Sequence, residues 1–101
     1  MSPADNSGAV TDDAPGCRFI LEVGGEVAEL AYQRRGSHVA LVHRFVPEQL
    51  RRRGVAGQLV RAAIERAAAE GLTVEPSCPY VRWWLEDNPE AAAAVAIDWG
   101  N

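Results

Sequence analysis

The segment Arg51–Gly57, RRRGVAG, places three arginines and two glycines just before a long alanine-rich stretch. If that stretch is a helix, its first backbone N–H groups have no intrahelical acceptor and carry a partial positive charge. Gly54 and Gly57 would let a ligand approach the backbone closely. This pattern is typical of phosphate or pyrophosphate binding, with the arginines adding charge-assisted hydrogen bonds. The alternative is a solvated arginine cluster, because short glycine-containing loops are weak motifs.

A thiol and an imidazole form a second candidate site. Cys78 precedes Pro79 at the predicted start of a helix, where the helix dipole favours negative charge. His43 lies near the carboxyl end of a predicted strand, and the strand before Cys78 is expected to run parallel to it. Ligands of open α/β sheets bind at such strand ends, so the two residues are a possible nucleophile and base. The competing interpretation is structural, since a lone cysteine is usually a small buried hydrophobe.

Three strands are predicted to precede the arginine loop, at residues 17–23, 26–35 and 37–46. Gly24-Gly25 and Gly36-Ser37 separate them and are hairpin signals, so an antiparallel meander is expected. The third strand is apolar on both faces, which predicts a central position in the sheet. Its two faces are expected to carry Val39, Leu41 and Phe45 on one side and Ala40, Val42 and Val46 on the other.

A helix is predicted after Pro47. Apolar residues recur at helical spacing from Ala56 to Ala67, and Gly71 provides a C-terminal stop. A short strand at residues 72–76 follows, and a strand–helix–strand series favours a parallel pair.

A second helix is predicted to begin at Pro79, with Ser77 or Cys78 as its cap, and to end at Asn88-Pro89. The tail after it is expected to add a helical turn or two. The predicted fold class is therefore α+β in the order β-β-β-α-β-α. Its mixed sheet is mainly antiparallel, with one parallel β-α-β step.

The bulk composition limits the class of protein. The chain has 101 residues and a net charge of −4, which argues against nucleic-acid binding. No apolar run approaches the length of a membrane span, no signal peptide is visible, and two cysteines make no disulfide framework, so a cytoplasmic protein is predicted. Residues 1–15 are predicted to be a disordered tail and residues 16–101 a single domain. No His, Cys and Asp cluster has metal-ligand spacing, so no metal site is expected.

The segment VPEQLRRRGVAGQLV resembles the acyl-CoA-binding segment of the GNAT N-acetyltransferase superfamily, whose core pattern is Gln/Arg-x-x-Gly-x-Gly/Ala. Here the pattern reads Arg51-x-x-Gly54-x-Ala56. The wider series HRFVPE, PSCPYV and NPE is similar to the smallest single-domain branch of that superfamily, which has a histidine and a cysteine at its suspected active site. The resemblance covers residues 17–95.

This resemblance implies a GNAT-like fold that binds acetyl-CoA, with the pyrophosphate of coenzyme A on the Arg51–Gly57 loop. It also implies that His43 and Cys78 are catalytic residues. The residues implied to hold the cofactor are Val46, Arg51, Arg53, Gly54, Val55, Ala56, Gly57, Pro79 and Tyr80.

The activity implied by the resemblance is acetyl transfer from acetyl-CoA to an amine. The acceptor stays open between a polyamine, a small amine, an amino-terminal residue and a lysine side chain, and no oligomeric state is predicted. Either the amine attacks the thioester directly, with His43 or a water as general base, or Cys78 takes the acetyl group first.

Two other functions are considered. One is a non-catalytic acyl-CoA-binding or protein-interaction module, because the full GNAT fold has N-terminal helices for which this chain has no room. The other is a Cys/His thioester hydrolase, against which the absence of a nucleophile-elbow sequence counts.

Overall fold

The computed structural model describes residues 10–100, which form one six-stranded sheet with helices packed against it. The strands are β1 (Thr11–Asp13), β2 (Arg18–Val23), β3 (Glu26–Arg35), β4 (His38–Phe45), β5 (Thr73–Pro76) and β6 (Ala96–Ile97). The helices are α1 (Val55–Glu70), α2 (Pro79–Asp87) and α3 (Pro89–Ala93), and a short 3₁₀ helix, Glu48–Leu50, precedes α1. The predicted α+β class with a mixed sheet is confirmed.

The strands lie side by side in chain order. Neighbours are antiparallel from β1 to β4 and parallel from β4 to β6. At the turn between β2 and β3, Gly24 and Gly25 have φ values of 59° and 86°. Two consecutive positive φ values match the twist of a tight hairpin, which explains why glycine stands at both positions. β4 lies between β3 and β5, in the central position that its apolar pattern predicted.

Two edge strands were missed by the sequence prediction. β1 pairs Thr11–Asp13 with residues 18–20 of β2, so the prediction of disorder is wrong for these three residues. Residues 1–9 of the predicted tail lie outside the described residues. Arg18 donates from Nε to Asp13 at 3.0 Å, which helps hold β1 in place. β6 pairs with β5 where only helical turns were predicted, and it adds a second parallel step. Strands of two or three residues are too short to show alternation, so their pairing depends on tertiary contacts.

The core lies between α1 and the sheet. The apolar stripe of α1 is buried as predicted, at Leu59, Val60, Ala63, Ile64 and Ala67. It packs against one face of β2, β3 and β4, where Leu21, Leu30 and Leu41 are each at most 1% exposed. The opposite face of the sheet carries half-buried and exposed residues, among them Ala40, Val42 and Phe45.

A bulge in β4 reverses which residues face the helices. Tyr32 of β3 lies opposite Leu41, but the next residue back, Ala31, lies opposite His43, so Val42 is the extra residue. Cross-strand neighbours share a face of the sheet. Arg44, opposite the buried Leu30, is therefore on the helix side, whereas His43 and Phe45 are on the open side.

This corrects the predicted alternation of β4. Phe45 was expected on the same face as Val39 and Leu41, but it is 50% exposed on the other side. The reason is that an inserted residue shifts a two-residue period by one, which the sequence pattern alone does not reveal.

Across residues 10–100, no helix combines the length and the apolar character that crossing a bilayer requires.

Candidate functional site

The amino end of α1 is open to an anionic ligand. The first helical hydrogen bond joins the N–H of Gln58 to the carbonyl oxygen of Gly54 at 3.1 Å, so the N–H groups of residues 55–57 come before any intrahelical acceptor. No side chain caps Gly54, and the first turn of this described helix has no acidic residue. The helix end is therefore electropositive and accessible, as the sequence predicted.

The two glycines of this loop have different roles. Gly54 has a φ of 77°, and a Cβ there would meet nothing within 4 Å, so glycine is favoured by backbone conformation. A Cβ at Gly57 would lie 3.3 Å from Nε1 of Trp84 and 3.8 Å from the Tyr80 hydroxyl. Gly57 thus allows α1 to approach α2 closely, a role that differs from the ligand access predicted for it.

A cleft of about 360 Å³ opens at this helix end. It is lined by Arg44, Val46, Leu50, Arg51, Arg52, Gly54, Val55, Ala56, Gly57 and Tyr80. Seven of the nine predicted cofactor residues are in this group. The exceptions are Arg53 and Pro79, which do not line the cleft.

Three lining residues were not predicted. Leu50 and Arg52 follow from the path of the loop, in which Arg52 takes a left-handed φ of 66°. Arg44 reaches the cleft because the β4 bulge turns it to the helix side, for which the sequence carried no local signal. Arg51 is oriented by its Nε, which donates to the carbonyl oxygen of Val46 at 3.2 Å.

Arg44 and Tyr80 meet across the cleft. The guanidinium carbon of Arg44 lies 4.4 Å from the centroid of the Tyr80 ring, within cation–π distance. Burial raises the pKa of the Tyr80 phenol above its usual value, and the Arg44 cation opposes part of that shift. The phenol is therefore protonated at neutral pH and able to donate a proton or a hydrogen bond.

β4 and β5 separate beside the cleft. Their paired register ends at Leu41 and Pro76, and the N–H of Cys78 donates to the carbonyl oxygen of Leu41 at 2.9 Å. β4 then continues to Phe45, whereas the segment after β5 turns away into α2. The last four residues of β4 thus extend past the end of β5 and leave a gap in the sheet.

The two predicted catalytic residues lie on different sides of this gap. Cys78 is the N-cap residue of α2 and is 5% exposed, within the core on the helix side. His43 is exposed and points to the open side of the sheet. Among residues 10–100, no hydrogen bond or ion pair joins His43 to Cys78. A preformed thiol–imidazole pair is therefore absent from the described part of the chain.

A cluster of potential metal ligands was missed by the spacing argument. His38, Glu75 and Asp98 each offer one ligand atom, and these atoms lie within 4.8 Å of one another. The three residues are far apart in sequence, in β4, in β5 and directly after β6, so no local motif marks them. Folding alone brings them together on the open face of the sheet.

The comparisons with known proteins agree with this fold. A family model for the GCN5-related N-acetyl-transferase domain matches residues 18–95. Protein NATD1 of Gallus gallus is 31% identical over 75 residues, covering 71% of this chain and 68% of that protein. Protein NATD1 of Homo sapiens is 33% identical over 75 residues, covering 71% and 66%. Protein NATD1 of Xenopus tropicalis is 32% identical over 92 residues, covering 88% and 84%.

Proposed function

The chain belongs to the GCN5-related N-acetyltransferase family, and from this premise we propose that it transfers an acetyl group from acetyl-CoA to an amine. The observation that carries the proposal is the cleft at the start of α1, which gathers arginines and free helix-end amides beside the gap between β4 and β5. The amine acceptor is a small molecule or a peptide group that enters from the open side.

The pyrophosphate of coenzyme A would lie on the Arg51–Gly57 loop. Val55, Ala56 and Gly57 of the first turn of α1 line the cleft, their backbone N–H groups precede any intrahelical acceptor, and the helix dipole favours negative charge there. Arg44, Arg51 and Arg52 add three cations to the lining, and none of the described residues that line the cleft is acidic. Charge-assisted hydrogen bonds from guanidinium groups suit phosphate oxygens.

The thioester end of the cofactor would extend into the gap between β4 and β5. Beyond Leu41, the edge of β4 that faces β5 has lost its paired register, so its backbone groups can bond to a ligand. An N–H group there would polarise the thioester carbonyl as negative charge develops on its oxygen.

In the proposed reaction, the neutral amine nitrogen attacks the thioester carbon and forms the C–N bond. The C–S bond then breaks, and the sulfur leaves as the thiol of coenzyme A after taking a proton. Tyr80 is the donor of that proton, because burial keeps its phenol protonated. The proton lost by the amine passes to His43 or to a water that His43 orients.

The covalent route through Cys78 is less well supported. It needs a base to remove the thiol proton, and the described residues place His43 on the other side of the sheet. Direct transfer needs no such pair.

One observation favours a second candidate, a non-catalytic acyl-CoA-binding or protein-interaction module. His43 is exposed and contacts no partner that would hold it in a catalytic position within residues 10–100. Such a module would bind coenzyme A in the same cleft but would acetylate no amine.

The test combines calorimetry with turnover. We expect coenzyme A and acetyl-CoA to bind with saturation at one per chain, and acetyl-CoA to be consumed only when an acceptor amine from a panel is present. Absence of binding contradicts the proposal. Binding without turnover above the uncatalysed release of thiol favours the module.

We also place the activity in the cytoplasm, as the sequence predicted. Cys17 and Cys78 are both free thiols, and a reducing compartment preserves that state.

A further inference from the structure

The open face of the sheet carries a cluster of one imidazole and two carboxylates. His38 is the first residue of β4, Glu75 lies in β5, and Asp98 follows β6 directly. Nε2 of His38 lies 2.9 Å from Oε1 of Glu75 and 3.9 Å from Oδ2 of Asp98. The three side chains are between one third and one half exposed, so an ion from solvent can reach them.

The sheet itself sets this arrangement. β4 and β5 pair in parallel with Ala40 opposite Glu75, which brings Glu75 close to the start of β4. The N–H of Asp98 donates to the carbonyl oxygen of Val74 at 2.8 Å, which extends the parallel pairing of β5 and β6 by one residue. The three ligand-bearing positions are thus held by backbone hydrogen bonds.

The remaining oxygen of each carboxylate already has a donor. The Ser77 hydroxyl donates to Oε2 of Glu75 at 3.1 Å, and the N–H of Gly100 donates to Oδ1 of Asp98 at 2.9 Å. Each carboxylate therefore presents its other oxygen, Oε1 or Oδ2, toward His38. Hydrogen-bond donors of this kind orient the residues that bind a metal ion directly, and they contribute to the affinity for the metal.

The separations fit a metal ion. With ligand bonds of about 2.0–2.2 Å, neighbouring ligands of a tetrahedral zinc ion are roughly 3.3–3.6 Å apart. The separations of His38 from Glu75 and from Asp98, 2.9 and 3.9 Å, lie on either side of this range, and all three ligand atoms lie within 4.8 Å of one another. Small side-chain rotations would equalise them, and a nitrogen with two carboxylate oxygens is a donor set for transition metals.

We propose that His38, Glu75 and Asp98 bind one divalent first-row transition-metal ion, with zinc the best match to the ligand types. Three protein ligands leave the fourth position open to water. His38 and Glu75, but not Asp98, line a cleft of about 360 Å³ together with Ala40 and Val42. The ion links β4, β5 and the residue after β6, and so fastens the two-residue β6 to the sheet.

Charged residues around the site should change its affinity for a metal ion. Arg35 lies opposite His38 on β3 and lines the same cleft, where its cation opposes a bound metal ion. Replacing Arg35 should therefore tighten binding, an effect that damage to the fold would not produce.

The experiment is a calorimetric titration of the full chain with zinc chloride, without a histidine tag. Cys17→Ser serves as the background, because Cys17 is an exposed free cysteine and thiolates are zinc ligands. We expect saturation at one ion per chain and a rise in melting temperature with zinc concentration. His38→Gln and Asp98→Asn should each weaken binding by at least about tenfold, Ser77→Ala by up to about tenfold, and Arg35→Gln should tighten it.

His43→Gln is the matched control, since His43 is the second of the two histidines and is not part of the cluster. It should leave zinc affinity unchanged. The proposal is overturned if the Cys17→Ser protein shows no saturable binding, which would leave His38 as an ion-pair partner without metal. It is equally overturned if His38→Gln binds zinc as tightly as its parent while remaining folded by circular dichroism.

Discussion

The backbone N–H of Cys78 donates a 2.9 Å hydrogen bond to the carbonyl oxygen of Leu41, at the end of the paired register of β4 and β5. Past this contact, β4 continues alone and α2 begins. The bond therefore anchors the edge of the gap in which the thioester is proposed to lie. It also holds the Cys78 thiol on the core side, away from His43 on the open side.

Replacing the buried thiol should leave transfer intact. We expect Cys78→Ala to acetylate an amine at a rate close to that of the wild type, because direct transfer needs no thiol. Loss of a small buried group should cost about 1 kcal/mol of unfolding free energy. The measurement is steady-state turnover with intact mass after incubation with labelled acetyl-CoA alone. A stable acetyl adduct that disappears in Cys78→Ala but persists in Cys17→Ala would instead establish the covalent route.

Removing the Tyr80 hydroxyl should slow the chemical step. Tyr80→Phe keeps the ring under Arg44 but removes the proton donor, so we expect kcat to fall by about a hundredfold with little change in KM. Because burial raises the pKa of Tyr80, any loss of activity from phenol ionisation should occur at a higher pH than for an ordinary tyrosine. A Tyr80→Phe enzyme with wild-type kcat would contradict the assigned role.

Arg52 should contribute to cofactor affinity. Arg52 lines the cleft, and a charge-assisted bond from its guanidinium to phosphate is worth about 2 kcal/mol, so Arg52→Gln should weaken coenzyme A binding by more than about tenfold. The salt dependence of binding should decrease as well, because one cation is lost. Arg66→Gln makes the same charge change on α1, where Arg66 pairs with Asp12 and Glu70, and should bind coenzyme A normally. Equal affinity losses in both variants would point to net charge alone.

Gly54 should be required for its backbone conformation. A side chain there meets no neighbouring atom within 4 Å, so the effect of Gly54→Ala comes from its φ of 77°. We expect Gly54→Ala to lower the unfolding free energy by about 1–2 kcal/mol, and Gly54→Asn to lower it less, because asparagine tolerates the left-handed region. Denaturant unfolding checks both. If Gly54→Ala is at least as stable as Gly54→Asn, the left-handed φ is not the cause of the lost stability.

The phenol of Tyr32 should ionise at an unusually high pH. Burial, followed by its 2.6 Å hydrogen bond to Asp12, raises its pKa from 10.0 to about 12. A pKa raised in the folded state gives stability that is present below pH 10 and is lost as the pH rises toward 12. In a Tyr80→Phe background, which leaves one of the two tyrosines, the phenolate absorbance should have its midpoint near 12. Tyr32→Phe should remove the loss of stability in that window, and an ordinary midpoint near 10 would contradict the burial of this phenol.

The long elements were readable from the sequence because each has many residues that obey one period. The stripe of α1 shows the helical period over more than three turns, and Gly24-Gly25 and Gly36 mark the two hairpins. β1 and β6 have three and two residues and were missed, because no period can be recognised over so short a run.

The cleft at the start of α1 was also readable, because a loop and the helix after it are contiguous in sequence. Seven of the nine predicted cofactor residues therefore line one cleft. Arg44 was missed, and the relation between His43 and Cys78 was left open, because both depend on the bulge in β4.

The sequence by itself determined the fold class, the central position of β4 and the electropositive start of α1, since these follow from local composition and spacing. Only the tertiary structure decided which face of the sheet each residue of β4 occupies, and which residues from distant strands meet. One extra residue opposite β3 turns Arg44 toward Tyr80 and His43 away from Cys78. The pairing of β4, β5 and β6 brings His38, Glu75 and Asp98 together. The physical reason is that strand register depends on hydrogen bonds between segments far apart in the chain, which no local pattern encodes.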